Sequence, residues 1–90
     1  MKVIIYGSEI CGDCLETKAY LKEHADESIQ YNYFDITKST GNLKRFLKLR
    51  DTMNLFAGVR EGHTIGIPLF QFEDGTFTLN QQEAYQKMGI

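Results

Sequence analysis

The run Val3-Ile4-Ile5-Tyr6 is apolar without interruption. A strand open to water on one face would alternate, so this one is expected to be covered on both faces, in the middle of a sheet with helices around it. That points to an α/β fold. At 90 residues the chain has room for one domain, residues 1–90, with a single modest core.

The stretch that follows this strand is Ser8-Glu9-Ile10-Cys11-Gly12-Asp13-Cys14, and a helical pattern begins at about Gly12. Two residues between cysteines let the sulfurs meet across one turn, so Cys11 and Cys14 can pass between dithiol and disulfide with little backbone movement. Cys11 is placed at the helix N-terminus, where free backbone amides and the helix dipole favour a negative sulfur. It is the expected nucleophile. Cys14, inside the first turn and less exposed, is suited to resolve the mixed disulfide. The carboxylates of Glu9 and Asp13 oppose the activation of Cys11.

Leu15, Ala19, Leu21 and Ala25 predict the buried stripe of that first helix, with Lys18, Lys22 and Glu23 facing water. Ile29, Tyr31 and Tyr33 alternate with polar residues as a second strand, and Phe34 and Ile36 continue it on the other face. Strand, helix and strand of these lengths predict a right-handed parallel crossover. Ser39, Thr40 or Asn42 caps the next helix, with Leu43, Phe46, Leu47 and Arg50 at helical spacing. A structureless stretch from Asp51 to Gly66 would be unusual in so small a domain. A short helix around Leu55, Phe56 and Val59, ended by Gly62, is therefore expected there.

Ile67-Pro68-Leu69-Phe70-Gln71-Phe72 and Phe77-Thr78-Leu79 flank an Asp74-Gly75 turn, and predict an antiparallel hairpin. Pro68, the one proline, belongs at the start of its strand, where no amide is needed for pairing; spacing alone predicts the trans form. Asn80 with Glu83 resembles a capping box for a last helix running through Met88 to Gly89. The element order is β-α-β-α-α-β-β-α.

The formal net charge of −2 asks for neither nucleic acid nor an anionic membrane. No apolar run has the length of a membrane span, and Met1-Lys2 leads into a strand without a signal-peptide pattern. The expected protein is a cytoplasmic monomer, in a compartment where a close cysteine pair is more often catalytic or metal-binding than structural. Five of the ten lysines and arginines lie between Lys38 and Arg50. They are read first as a solvated helix face and second as a docking patch for an acidic partner. Arg60 is read as a solvated helix-end residue, with a substrate carboxylate or the Cys11 thiolate as its alternative partner. His24 and His63 match no zinc spacing, and Tyr31 and Tyr33 are assigned to sheet packing.

The strand before Cys11-Gly12-Asp13-Cys14, the Gly66-Ile67-Pro68 segment opening the hairpin and the final helix resemble the glutaredoxin branch of the thioredoxin-fold proteins over nearly the whole chain. Residues 43–51, Leu-Lys-Arg-Phe-Leu-Lys-Leu-Arg-Asp, with Gly66-Ile67-Pro68 resemble more narrowly a group of small bacterial glutaredoxin-related proteins. The resemblance implies a thioredoxin-like fold with a four-stranded mixed sheet flanked by helices. It also implies Cys11 as attacking and Cys14 as resolving thiol, Pro68 as a cis-proline facing the sulfurs, and Ile67 pairing its backbone with a thiol substrate. Tyr6 would lie at the strand end beneath the motif.

The chain departs from the family pattern in three places. Gly12 and Asp13 replace the usual proline and aromatic residue between the cysteines, and Gly7, Ser8 and Glu9 stand where a lysine is common. Leu79, Asn80, Gln81, Gln82 and Glu83 occupy the segment that grips the γ-glutamyl end of glutathione. Asn80 and Gln81 still offer helix N-terminal amides to a carboxylate, and Leu79 is expected to turn its side chain inward. The expected activity is therefore reduction of protein or small-molecule disulfides by the Cys11/Cys14 dithiol, with a reductase or, as the second choice, glutathione as electron donor and no tightly bound cofactor. Two alternatives are a copper- or iron-sulfur-binding module and a redox-sensing interaction domain. The lack of a second Cys-x-x-Cys or Cys/His pair weighs against a closed zinc site.

Overall fold

In the computed structural model, which describes residues 1–90, the elements are β1 (Lys2–Gly7), α1 (Gly12–His24), β2 (Gln30–Asp35), α2 (Thr40–Arg50), a 3₁₀ turn (Asn54–Phe56), α3 (Ala57–Glu61), β3 (Leu69–Phe72), β4 (Phe77–Thr78) and α4 (Gln81–Met88). The sheet order is β2-β1-β3-β4, with β1 parallel to β2 and antiparallel to β3, and β3 antiparallel to β4. The class expected from the first apolar run is present: an α/β chain with a four-stranded mixed sheet and helices. β1 is an inner strand, which is why it carries apolar side chains on both faces.

Alternation along β1 divides the core in two. Val3 and Ile5 join Leu21 of α1, Phe70 and Phe72 of β3, and Ala84, Tyr85 and Met88 of α4 on one face. Tyr6 joins Ile36, Phe46 of α2, Phe56 of the 3₁₀ turn and Leu69 on the other, with Leu79 packed against them. Tyr6 is therefore a core residue at the end of β1, and Leu79 does turn inward.

Two predicted helix faces are corrected. In α1 the buried residues are Cys14, Thr17 and Leu21, whereas Leu15 is half exposed and Ala19 exposed. Once Cys14 is turned onto the sheet, positions three and seven residues later share its face, and Leu15 lies about 100° away. A buried polar pair completes this face, with Thr17 Oγ1 and Tyr85 Oη 3.1 Å apart. In α2 the inward residues are Leu43, Phe46 and Leu49, and Leu47 is 36% exposed.

The ends follow local chemistry. Ser39 is the residue that caps α2, its hydroxyl accepting from the Asn42 amide at 3.2 Å. Asn80 caps α4, accepting from the Glu83 amide at 2.9 Å, and Gly89 ends that helix at φ 78°. In the hairpin Asp74 Oδ1 accepts from the amide and hydroxyl of Thr76, and Gly75 takes φ 88°. β3 begins at Leu69, one residue after Pro68, and Leu79 lies just beyond β4.

The corrected face of α2 carries a prediction. Phe46→Ala empties a fully enclosed site and should lower the urea-unfolding free energy by about 3–5 kcal/mol, while Leu47→Ala should change it by no more than about 0.5 kcal/mol. Equal losses at the two positions would mean that α2 is rotated from the face described.

Candidate functional site

Cys11 is the N-cap of α1. Its Sγ accepts a hydrogen bond from the Cys14 amide at 3.3 Å, the place that a serine or aspartate oxygen usually takes at a helix start. The sulfur thus stands at the positive end of the helix with a backbone N–H directed at it. Cys11 is partly exposed, Cys14 is wholly buried, and both are free thiols. Burial, helped by the neighbouring Cys11, pushes the Cys14 thiol up to about 12.

The loop holding Cys11 is fixed from below. Ser8 is buried; its carbonyl accepts from the Cys11 amide at 3.2 Å, and its hydroxyl accepts from the Ile10 amide at 3.2 Å while lying 2.8 Å from Thr37 Oγ1. Asp35, at the end of β2, accepts from the amides of Glu9 and Thr37 at 3.1 and 2.8 Å and from the Thr37 hydroxyl. Hydrogen bonds to Thr37 and Glu9, with the nearby Lys38 charge, hold its carboxyl below the usual range against the opposing effect of burial. Glu9, expected to oppose a negative Cys11, is paired with Lys38 at 3.0 Å, so much of its charge is offset.

Ile67 and Pro68 come to the site from the far end of the chain. The Ile67 carbonyl lies 4.0 Å from Cys11 Sγ as the acceptor of its S–H, and the Ile67–Pro68 bond is cis, not the trans form that spacing alone predicted. Gly66 precedes them at φ 90°, and a Cβ there would lie 2.7 Å from the Phe56 ring; only glycine lets this strand approach run so close to the core.

Arg60 is corrected. It is half-buried and held in place: its guanidinium donates through Nη1 to the carbonyls of Arg50 and Met53, closing the end of α2. Arg50 in turn donates to the carbonyls of Thr64 and Ile65 at 2.7 and 3.1 Å, and so anchors the segment that leads to Ile67. Arg45 lies over the Phe34 ring at 5.1 Å. Three of the five cations between Lys38 and Arg50 are thus tied to partners by hydrogen bonds or an ion pair, or stacked on a ring.

Of the other predicted residues, Gly12 and Asp13 are exposed in the first turn of α1. The Gln81 side chain donates to the Asp13 carbonyl at 3.1 Å and to Thr17 Oγ1 at 2.8 Å, joining α4 to α1 behind the cysteines. The Asn80 amide donates to Thr78 Oγ1 at 3.0 Å and its side chain is committed to the cap. Leu79, Asn80 and Gln81 do not line the cleft beside Cys11. That cleft, of about 530 Å³, is formed among Ser8, Ile10, Thr37, His63, Ile65 and Ile67. None of its lining residues is lysine, arginine, aspartate or glutamate. Ile10 and Ile65 stand 81% and 57% exposed at its rim. Sequence reasoning missed Ser8, Thr37 and His63 because three separate loops supply them. The one available signal was Ser8 between the strand and Cys11.

A Haemophilus influenzae protein described as uncharacterized is 29% identical to the chain over 79 residues, which cover 88% of this chain and 88% of that protein. No family model and no solved structure matches the chain.

The two thiols should respond differently to alkylation and to alkali. Iodoacetamide at neutral pH should label Cys11 first, with Cys14 modified only after unfolding. A thiol whose folded value is raised from 9.0 to about 12 keeps its proton when the unfolded chain has already lost it, so its contribution to stability is present below pH ~9 and is lost as the pH rises toward 12. Unfolding free energies between pH 8 and 10.5 should therefore fall more steeply for the reduced protein than for Cys14→Ala; parallel slopes would refute the assignment.

Proposed function

We propose that the chain is a dithiol-disulfide oxidoreductase of glutaredoxin-like type, with a thioredoxin-like arrangement of its sheet and helices. The observation that carries this reading is the cap of α1: a partly exposed Cys11 sulfur accepting the amide of a buried Cys14, with the Ile67 carbonyl facing it from the segment before cis-Pro68. A sulfur that accepts a backbone hydrogen bond does so more strongly as thiolate than as thiol, because charge strengthens the bond. The Cys11 thiolate attacks one sulfur of a substrate disulfide and expels the other as a thiolate, which takes up a proton. Cys14 then attacks Cys11 Sγ, releases the second substrate thiol, and leaves a Cys11–Cys14 disulfide. Two electrons pass from the dithiol to the substrate, and an external thiol or a reductase returns them.

The substrate favoured by the cleft is a protein disulfide rather than glutathione disulfide. Glutathione presents two carboxylates and an ammonium, and the cleft beside Cys11 has no charged side chain to meet them. At the start of α4 the Asn80 amide and side chain and the Gln81 side chain are engaged within the fold. The exposed Ile10 and Ile65 suit an apolar peptide flank running past the sulfur.

Trapping tests the reading directly. Cys14→Ser, given a disulfide-containing protein such as insulin, should accumulate a covalent adduct on Cys11 that dithiothreitol reverses, and Cys11→Ser should form none and show no turnover. An adduct on Cys14 in Cys11→Ser protein, with none in Cys14→Ser, would reverse the roles. Stoichiometric copper or iron on anaerobically purified protein, lost with either cysteine, would favour the metal-binding alternative. For the substrate, turnover with insulin should exceed turnover with a glutathione mixed disulfide, and amide shifts on titrating reduced glutathione should not saturate at millimolar concentration. Saturation centred on Ile67 and Asn80 would restore glutathione as the ligand.

A further inference from the structure

One buried side-chain polar atom lacks a hydrogen-bond partner, the hydroxyl of Tyr33. Such a group in a folded core is uncommon enough to need a reason. Tyr33 lies on β2 opposite Ile5, with the Lys18 ammonium 4.7 Å from its ring centroid. Its hydroxyl is aimed inward, toward the start of α1. A Cβ built on Gly7 would collide with that oxygen and stand 3.0 Å from Cys14 Sγ, so the glycine leaves open a space that both atoms border. Packing of the ring alone would be served equally by phenylalanine, without a stranded hydroxyl.

We propose that the Tyr33 hydroxyl donates a hydrogen bond to Cys14 Sγ as that sulfur becomes a thiolate, and so promotes the step in which Cys14 resolves the mixed disulfide on Cys11. This rests on the redox reading above. In that step the Cys14 S–H proton passes to the departing substrate thiolate, Cys14 Sγ bonds to Cys11 Sγ, and the bond from Cys11 to the substrate sulfur breaks. Tyr33 keeps its own proton throughout. The need for such a donor is plain, since Cys14 must carry charge where burial opposes it, and the Tyr33 hydroxyl is a neighbouring donor with no other partner. Burial and the Cys14 charge hold the phenol proton on Tyr33 well above its ordinary range, so at neutral pH it donates and does not act as a base. The other charged groups that bear on it are Cys11 and Lys18 from the α1 side and Asp35 along its own strand.

The test uses the reduced full-length chain and 5,5′-dithiobis(2-nitrobenzoate) in stopped flow, where each attack releases one coloured thiolate. Attack by Cys11 gives the first phase and resolution by Cys14 the second. Tyr33→Phe, which keeps the ring, should leave the first phase within about twofold and slow the second roughly 10- to 100-fold, the effect of one hydrogen bond to a charged group. The pH at which the second phase accelerates should also move upward. An unchanged second phase, or equal slowing of both, overturns the proposal. A second variant guards against a folding defect: 3-fluorotyrosine throughout the chain makes the phenol a stronger donor and should speed the second phase alone, and no change there would also overturn the proposal. A wild-type protein with no second phase at all would instead remove the redox reading on which it rests.

Discussion

The contact on which the site depends is the Cys14 amide donating to Cys11 Sγ at the first turn of α1. It fixes three things together. The helix begins at Gly12 because the sulfur serves as its cap; Cys11 stays at the surface because a cap residue lies outside the helical turn; and Cys14, three residues on, is rotated onto the sheet and buried. One hydrogen bond thus divides two chemically identical thiols into an accessible one and a hidden one. A dithiol mechanism requires that asymmetry, since the same sulfur cannot both meet the substrate and wait to displace it.

The rest of the fold supplies rigidity and shape around that contact. Asp35 and Thr37 bind the loop carrying Glu9 and Ser8 to the end of β2, so the parallel pairing of β1 with β2 also positions the thiol loop. On the other side Arg60 closes α2 and Arg50 holds the carbonyls of residues 64 and 65, leaving Gly66 to slide against Phe56 and present the Ile67 carbonyl to Cys11. Arginines that look from the sequence like surface charge act here as braces. Because their guanidiniums are directed at backbone carbonyls and Lys38 at Glu9, the cleft beside Cys11 is left neutral and largely apolar.

Much of this was legible from local patterns. The unbroken apolar run at Val3–Tyr6, the Asp74-Gly75 turn and the cysteine spacing are each set by a few adjacent residues and stand where expected; of the three caps offered for α2 the structure takes Ser39, and Asn80 caps α4 without the return bond from Glu83. Helix faces were less legible. Leu15 and Leu47 read as inward because they are leucines, but the phase of α1 is set by Cys14 meeting Gly7, and that of α2 by Phe46 meeting Phe56 and Tyr6. Arg60 was misread for the same reason: its partners are carbonyls of residues 50 and 53, which carry no mark in the sequence. Tyr33 fits an alternating strand so well that its stranded hydroxyl could only be found once β2 and α1 were brought together.

The central claim is that Cys11 and Cys14 form one reversible two-electron centre. Equilibrating the protein across ratios of reduced to oxidised dithiothreitol, quenching with an alkylating reagent and weighing the intact chain tests it most directly. The account predicts that both thiols disappear together in a single two-electron transition, as an intramolecular disulfide, with the transition absent in Cys14→Ser. Thiols lost one at a time, or a pair that stays reduced or joins separate chains at every ratio, would contradict it.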